Sequence, residues 1–197
     1  MRAPFDIFKD QALRFVQFLP EELDYYQQKI EYREIPKKGI ILNEGEVENY
    51  IYFVVEGVVR VFFQGEKREI CVDFGFPNQL VCSFISFQTR RASALTIQAI
   101  TPVKYLQIHR DDVEAFHAVS KNSERMGRLA VEILYANKLK REMSLLSLSA
   151  EENYLLMLRR HPEIAQNVPV KDLATYLGIH PESLSRIRKK IHRTNLE

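Results

Sequence analysis

The spacing of apolar and polar residues changes along the chain, and each change marks a different element. Around "PEELDYYQQKI", Leu23, Tyr26 and Ile30 fall on one face of a helix. From Gly39 onward the pattern becomes strand-like. "GIILNEGE", "YIYFVVEGVVRVFFQGEKREICVDF" and "SALTIQAITPVKYLQIHR" are rich in Val, Ile, Phe and Tyr. Gly45, Gly57, Gly65 and Gly75 punctuate them, and Glu56-Gly57 and Gln64-Gly65 suit tight hairpin turns. Short strands at this spacing predict a barrel or a double-sheet roll.

"SERMGRLAVEILYANKLKREMSLLSL" returns to helical spacing. It has no proline, and its single glycine lies near the start, so it predicts one long helix. Met126, Leu129, Ile133, Ala136, Lys140 and Met143 follow 3–4 spacing, the stripe of a helix that pairs with a twin. The rival reading packs that stripe on the chain's own roll. Small Ala136 allows close approach, while Asn137 and Lys140 weaken the seam. Ser149 followed by Glu152 is a capping box that starts the next helix, which places a hinge at Ser147–Ser149.

The last segment, "VPVKDLATYLGIHPESLSRIRKKI", reads helix, tight turn, helix. Leu173, Ala174 and Leu177 make the apolar face of a short first helix. Gly178 can end it in the left-handed conformation, and Pro181 suits the first position of a second helix. There Leu184, Ile187 and Ile191 would face a core, leaving Glu182, Ser183, Arg186, Lys189, Lys190 and Arg193 outside. A lone basic helix is usually a solvated face. Two helices across a tight turn are more specific, and predict a helix-turn-helix DNA reader.

Charge supports two functional halves. Residues 1–120 carry 14 Lys/Arg and 17 Asp/Glu, whereas residues 121–197 carry 14 and 9. An acidic front and a basic back fit a sensor joined to a nucleic-acid binder. The two cysteines, Cys71 and Cys82, are too few for an iron–sulfur cluster and read as packed thiols. No run of 18 apolar residues exists and the first residues lack an apolar signal core, so a cytoplasmic protein with no membrane role is expected. A metal-dependent cupin enzyme would need several histidines inside the roll. His109 alone lies in a strand, with His117, His161, His180 and His192 elsewhere, so no metal site and no enzyme are expected.

"KKGIILNEGEVENYIYFVVEGVVRVFF" closely resembles the opening of the cyclic-nucleotide-binding β-roll, with its glycines at Gly39, Gly45 and Gly57. Together with the terminal helix pair, the chain over about residues 12–191 resembles a Crp/Fnr-type bacterial transcription regulator. The resemblance implies an α+β chain in three parts. Residues 1–118 would be a jelly-roll (double-stranded β-helix) sensor, 119–147 a dimerisation helix, and 148–197 a helix-turn-helix DNA-binding domain. It also implies a homodimer on a pseudo-palindromic double-stranded DNA operator, with RNA polymerase as a further partner. The dimer seam would hold Met126, Leu129, Ile133, Ala136 and Met143. By the family's pattern Arg186 and Glu182 would contact bases, with Ser183 beside them at a phosphate or base edge. Pro181 stands where some relatives carry a third base-reading arginine. "HRTNLE" and "HPEIAQNVP" are too short for a substantial β-hairpin wing, so phosphate contact would fall to Lys189, Lys190, Arg193 and Lys171.

The departures concern the effector. Nucleotide-binding relatives carry a Gly-Glu near the roll's short helix and an Arg about ten residues later, for the ribose hydroxyls and the cyclic phosphate. Here Cys82 stands for the glycine, Ser83 for the glutamate and Ser93 for the arginine. Arg90 and Arg91 lie two or three residues early, and Asn137 lies on the long helix that reaches the base in relatives. The candidate pocket is therefore Cys82, Ser83, Arg91, Ser93 and Asn137. Cyclic AMP is not the expected ligand, no cofactor is expected, and a small-molecule effector of unknown chemistry stays open. The alternative function is a cyclic-nucleotide-sensing regulatory subunit acting on a protein partner.

Overall fold

The N-terminal half is built around strands whose two faces are both covered. The computed structural model describes residues 3–194, with side chains through Ile191. Two helices, α1 (Pro4–Leu13) and α2 (Pro20–Lys29), precede β1 (Glu31–Ile35), β2 (Ile40–Leu42), β3 (Tyr50–Glu56), β4 (Val59–Gln64), β5 (Glu69–Gly75) and β6 (Leu80–Val81). A short helix α3 (Phe84–Thr89) leads to β7 (Thr96–Ala99) and β8 (Val103–His109). The strands form two four-stranded antiparallel sheets, ordered β1-β8-β3-β6 and β2-β7-β4-β5. This is the double-sheet roll that the strand spacing predicts.

The unbroken apolar run in β3 has a simple cause. Tyr52 and Val54 point into the roll with Val59, Val61, Ile97 and Val103. Phe53 and Val55 point outward, where Phe8, Tyr26 and Phe116 cover them. Alternation survives in the backbone but not in the polarity. Gly57, at φ +87, turns β3 into β4, and an added Cβ there would lie 2.3 Å from the Pro102 carbonyl oxygen. "GIILNEGE" yields a strand only over Ile40–Leu42, because the chain then turns through Gly45 at φ +88.

After β8 come α4 (Arg110–Val119) and the long helix α5 (Lys121–Ser147). The two are separate because Ser120 is extended, and its hydroxyl accepts from the Ser123 N–H at 3.0 Å to cap α5. Helix α5 spans about 40 Å at 1.5 Å per residue. It ends at Ser147. Ser149 then opens α6 (Ala150–Arg160) with the expected capping box, its N–H donating to Glu152 Oε2 at 2.8 Å. Buried Asn153 ties this two-residue break down by donating to the Ser144 and Leu148 carbonyls. Helices α7 (Ile164–Asn167), α8 (Val170–Tyr176) and α9 (Pro181–Thr194) complete the described chain. Among the described residues no helix is long and apolar enough to cross a membrane.

Candidate nucleic-acid interface and effector pocket

The turn between α8 and α9 follows from Gly178. Its φ of +70 lets the Gly178 N–H reach the Thr175 carbonyl and the Ile179 N–H reach the Ala174 carbonyl, a Schellman cap. Pro181 then begins α9, and the His180 carbonyl accepts from the N–H groups of Ser183 and Leu184. Leu173, Ala174 and Leu184 have no exposed surface, and Ile187 and Ile191 pack at the margin of the same cluster. The pair is a helix-turn-helix in shape, and its inner face is the one that the spacing predicts.

The outer face of α9 carries charge. Glu182, Arg186, Lys189 and Lys190 are exposed and Ser183 is half-buried. Among the described residues Arg186 has no carboxylate partner; its Nε lies 3.5 Å from the Glu182 backbone carbonyl. Lys190 pairs with Glu151 of α6 at 2.8 Å, and Lys171 lies 3.7 Å from Glu69 on the roll. These are largely exposed pairs of small net strength. The Arg193 side chain lies outside the described residues. Arg188, by contrast, turns inward and donates to the Ala165 carbonyl, fastening α7 to α9. No described strand follows α9, and the segment between α6 and α8 holds a short helix in place of a hairpin.

Helix α5 presents apolar side chains to solvent. Ile133 is 41% exposed and Met143 60%, while Met126 and Leu129 half-bury themselves against the cluster on the first sheet. Ala136 is half-buried. A second flank, Val131, Tyr135, Leu139 and Leu146, is also exposed. Its spacing is helical, and the sequence reading above passes it over because one stripe already accounts for the helix.

Inside the roll, Ser83 and Ser93 face each other. Ser93 Oγ lies 2.8 Å from Ser83 Oγ and from the Leu95 carbonyl, and accepts from the Leu95 N–H at 2.9 Å. Both serines are buried, and each hydroxyl has a partner within the chain. Above them lies Glu48, a residue that the sequence reading misses. Its carboxylate has no exposed surface and accepts from the Ser83 N–H at 3.1 Å, the Tyr50 N–H at 3.1 Å and the Tyr52 hydroxyl at 2.9 Å. Burial pushes the Glu48 carboxyl above its ordinary range, against the pull of those donors. Cys82, beside it, is pushed up to about 12 by burial and by the Glu48 charge, so it stays a thiol.

Neither nearby arginine enters this pocket. Arg90, left-handed at φ 61, caps α3 and donates to the Glu48 carbonyl at 2.8 Å. Arg91 is exposed, as is Asn137 on α5. The structure thus brings Ser83 and Ser93 together and leaves Arg91 and Asn137 at the surface. Among the described residues no group of His, Cys, Asp and Glu could hold a metal ion.

Comparison with known proteins agrees with this geometry. Residues 32–120, from within β1 to the end of α4, match the cyclic nucleotide-binding domain family. No curated protein sequence matches the chain. Solved structures do. FixK2 from Bradyrhizobium japonicum has a TM-score of 0.73 at 21% identity, over 84% of this chain and 86% of that one. A protein from Eubacterium rectale assigned to the Crp/Fnr family of transcriptional regulators gives 0.68 at 14%, over 90% and 85%. The catabolite activator protein of Thermus thermophilus gives 0.54 at 21%, over 94% and 88%. At these identities the likeness is one of fold, and it covers most of each chain.

Proposed function

We infer that this chain, which has the Crp/Fnr fold with a cyclic-nucleotide-binding-type roll at its front, is a transcription regulator that binds DNA as a homodimer. The observation that carries the reading is α9. A helix after a tight turn keeps its apolar side in a core and presents Glu182, Arg186, Lys189 and Lys190 outward. The solvent-facing apolar side chains of α5 support pairing with a second copy. Two readers related by a two-fold axis would meet half-sites about 34 Å apart, one turn of DNA. RNA polymerase would be engaged from the DNA-bound dimer. The test is retention of random-sequence DNA at low salt, followed by selection of bound sites from a random pool. Selected sites should be inverted repeats with centres one turn apart. Absence of any retained DNA removes the reading.

The roll is proposed not to answer to cyclic AMP. A cyclic phosphate buried between Ser83 and Ser93 would meet hydroxyls already engaged and no cation, while Glu48 holds the nearest N–H. Loss of a charged partner to a buried phosphate costs about 2–5 kcal/mol, at least about 30-fold in affinity. Calorimetry with cyclic AMP should show no binding in the micromolar range. A micromolar or tighter isotherm would overturn this.

A further inference from the structure

The outer face of the second sheet is covered by the chain's own helix pair. On β4, Val59 and Val61 point into the roll, so Arg60 and Phe62 point out toward α8. Arg60 is 6% exposed and its partner Asp172, on α8, is 4% exposed. Arg60 Nη1 lies 2.7 Å from Asp172 Oδ1 and 2.7 Å from Glu69 Oε2. Its Nε and Nη2 donate to Gln98 Oε1 on β7 at 2.9 and 2.6 Å, and its guanidinium lies 3.9 Å from the Phe62 ring centre. Lys171, 3.7 Å from Glu69, balances the cluster at two cations and two carboxylates. Beside it β5 is a sheet edge, and its Cys71 N–H donates to Thr175 Oγ1 of α8 at 3.1 Å. Around these polar contacts, Phe74 and Ile100 of the roll share one buried cluster with Leu173 and Leu184.

Apolar burial holds two surfaces together but does not choose their angle. A guanidinium fork bound on several edges does choose it. We propose that Arg60 and Asp172 form a latch that clamps the α8–α9 reader to the roll in one orientation, with the basic face of α9 left open. The roll is then a mount for the reader, and the orientation exists before DNA arrives. Calling α8–α9 a reader rests on the function proposed above; the existence of the latch does not, and its test uses no DNA.

The experiment is hydrogen exchange and limited proteolysis on the DNA-free full chain. Asp172→Asn and Arg60→Met each leave one member of the pair buried without its partner. Each should speed exchange at the Cys71 amide and cleavage at the Ser147–Ser149 junction by at least about tenfold. The double variant Arg60→Met with Asp172→Leu removes the latch without stranding a buried charge, so an acceleration of at least about tenfold should persist in it. Protection of the β8 amides and of α9 must persist, which shows that both parts remain folded. If a single variant loses that protection, Glu69→Gln on the exposed side of the cluster replaces it, with a few-fold acceleration expected. Rates within about twofold of wild type in these variants would overturn the latch, as would a double variant that recovers wild-type protection, since the singles would then report only a stranded charge. DNA retention of the wild type is measured separately, so a latch without DNA binding, or the reverse, reads distinctly.

Discussion

Ile133→Asp is expected to convert the protein from a dimer into a folded monomer. Ile133 is 41% exposed in the single chain, so a carboxylate there is solvated and the helix is spared. In a seam with a second α5 the same carboxylate would be buried against apolar side chains without a partner, which is strongly unfavourable. Light scattering of the wild type should give about twice the 23.1 kDa chain mass, and of the variant the chain mass alone. Binding to a two-half-site DNA should then fall by about 10²–10⁴, since the second reader no longer acts at a high local concentration. Wild-type scattering at 23.1 kDa at micromolar concentration would defeat the dimer. The exposed flank through Val131, Tyr135, Leu139 and Leu146 supplies a discriminating control. If Leu139→Asp dissociates the dimer and Ile133→Asp does not, the seam runs along that flank.

Much of the frame was legible because local chemistry and tertiary structure agree. Gly57, Gly178 and the Ser149–Glu152 box each demand one backbone geometry, and each is found where its residue type predicts. The apolar strand runs were equally plain. What was hidden depends on partners distant in sequence. Arg60 in "VVRVFF" reads as an ordinary outward polar position, and it does point outward, yet α8 lies over it. Asp172 in "VKDLATY" reads as a solvated helix residue, and its partner is 112 positions away. Glu48 sits in "GEVEN", which looks like a wet turn, but the Ser83 N–H and the Tyr52 hydroxyl enclose it. α1 and α4 escaped because their apolar residues are interrupted by charges such as Lys9 and Glu114, and only the outer face of the first sheet shows what they cover.

The serines illustrate the same limit within the site. Sequence position identified Ser83 and Ser93 as the residues standing for a carboxylate and a cation. It could not show that they bond to each other. That closure is a packing outcome: the Ser86 hydroxyl accepts from the Glu48 N–H and donates to the Arg91 carbonyl, drawing the α3 loop onto the start of β3. The two hydroxyls are therefore engaged with each other, a stronger statement than the absence of two charged side chains.

Arg186→Ala should lower affinity for the selected DNA site by about 1–3 kcal/mol per half-site and relax preference at one G·C pair. Arg186 and Glu182 are one helical turn apart on the open face of α9, so both can enter a major groove together. A guanidinium can donate to guanine O6 and N7, and a carboxylate can accept from cytosine N4. The competing account makes Arg186 a surface charge paired with Glu182, worth under about 1 kcal/mol. The geometry weakens that account, because the Arg186 Nε approaches the Glu182 backbone carbonyl at 3.5 Å and not its carboxylate. Pro181, at the helix start, offers neither an N–H nor a polar side chain, so one guanine preference found with an arginine at that position should be missing. Sites selected by the wild type and by Arg186→Ala separate the accounts. A consensus unchanged at every position would leave Arg186 as solvated charge. Loss confined to one G·C pair in each half-site would place it in the groove, with its outward direction set by the Leu184 and Ile187 packing beneath.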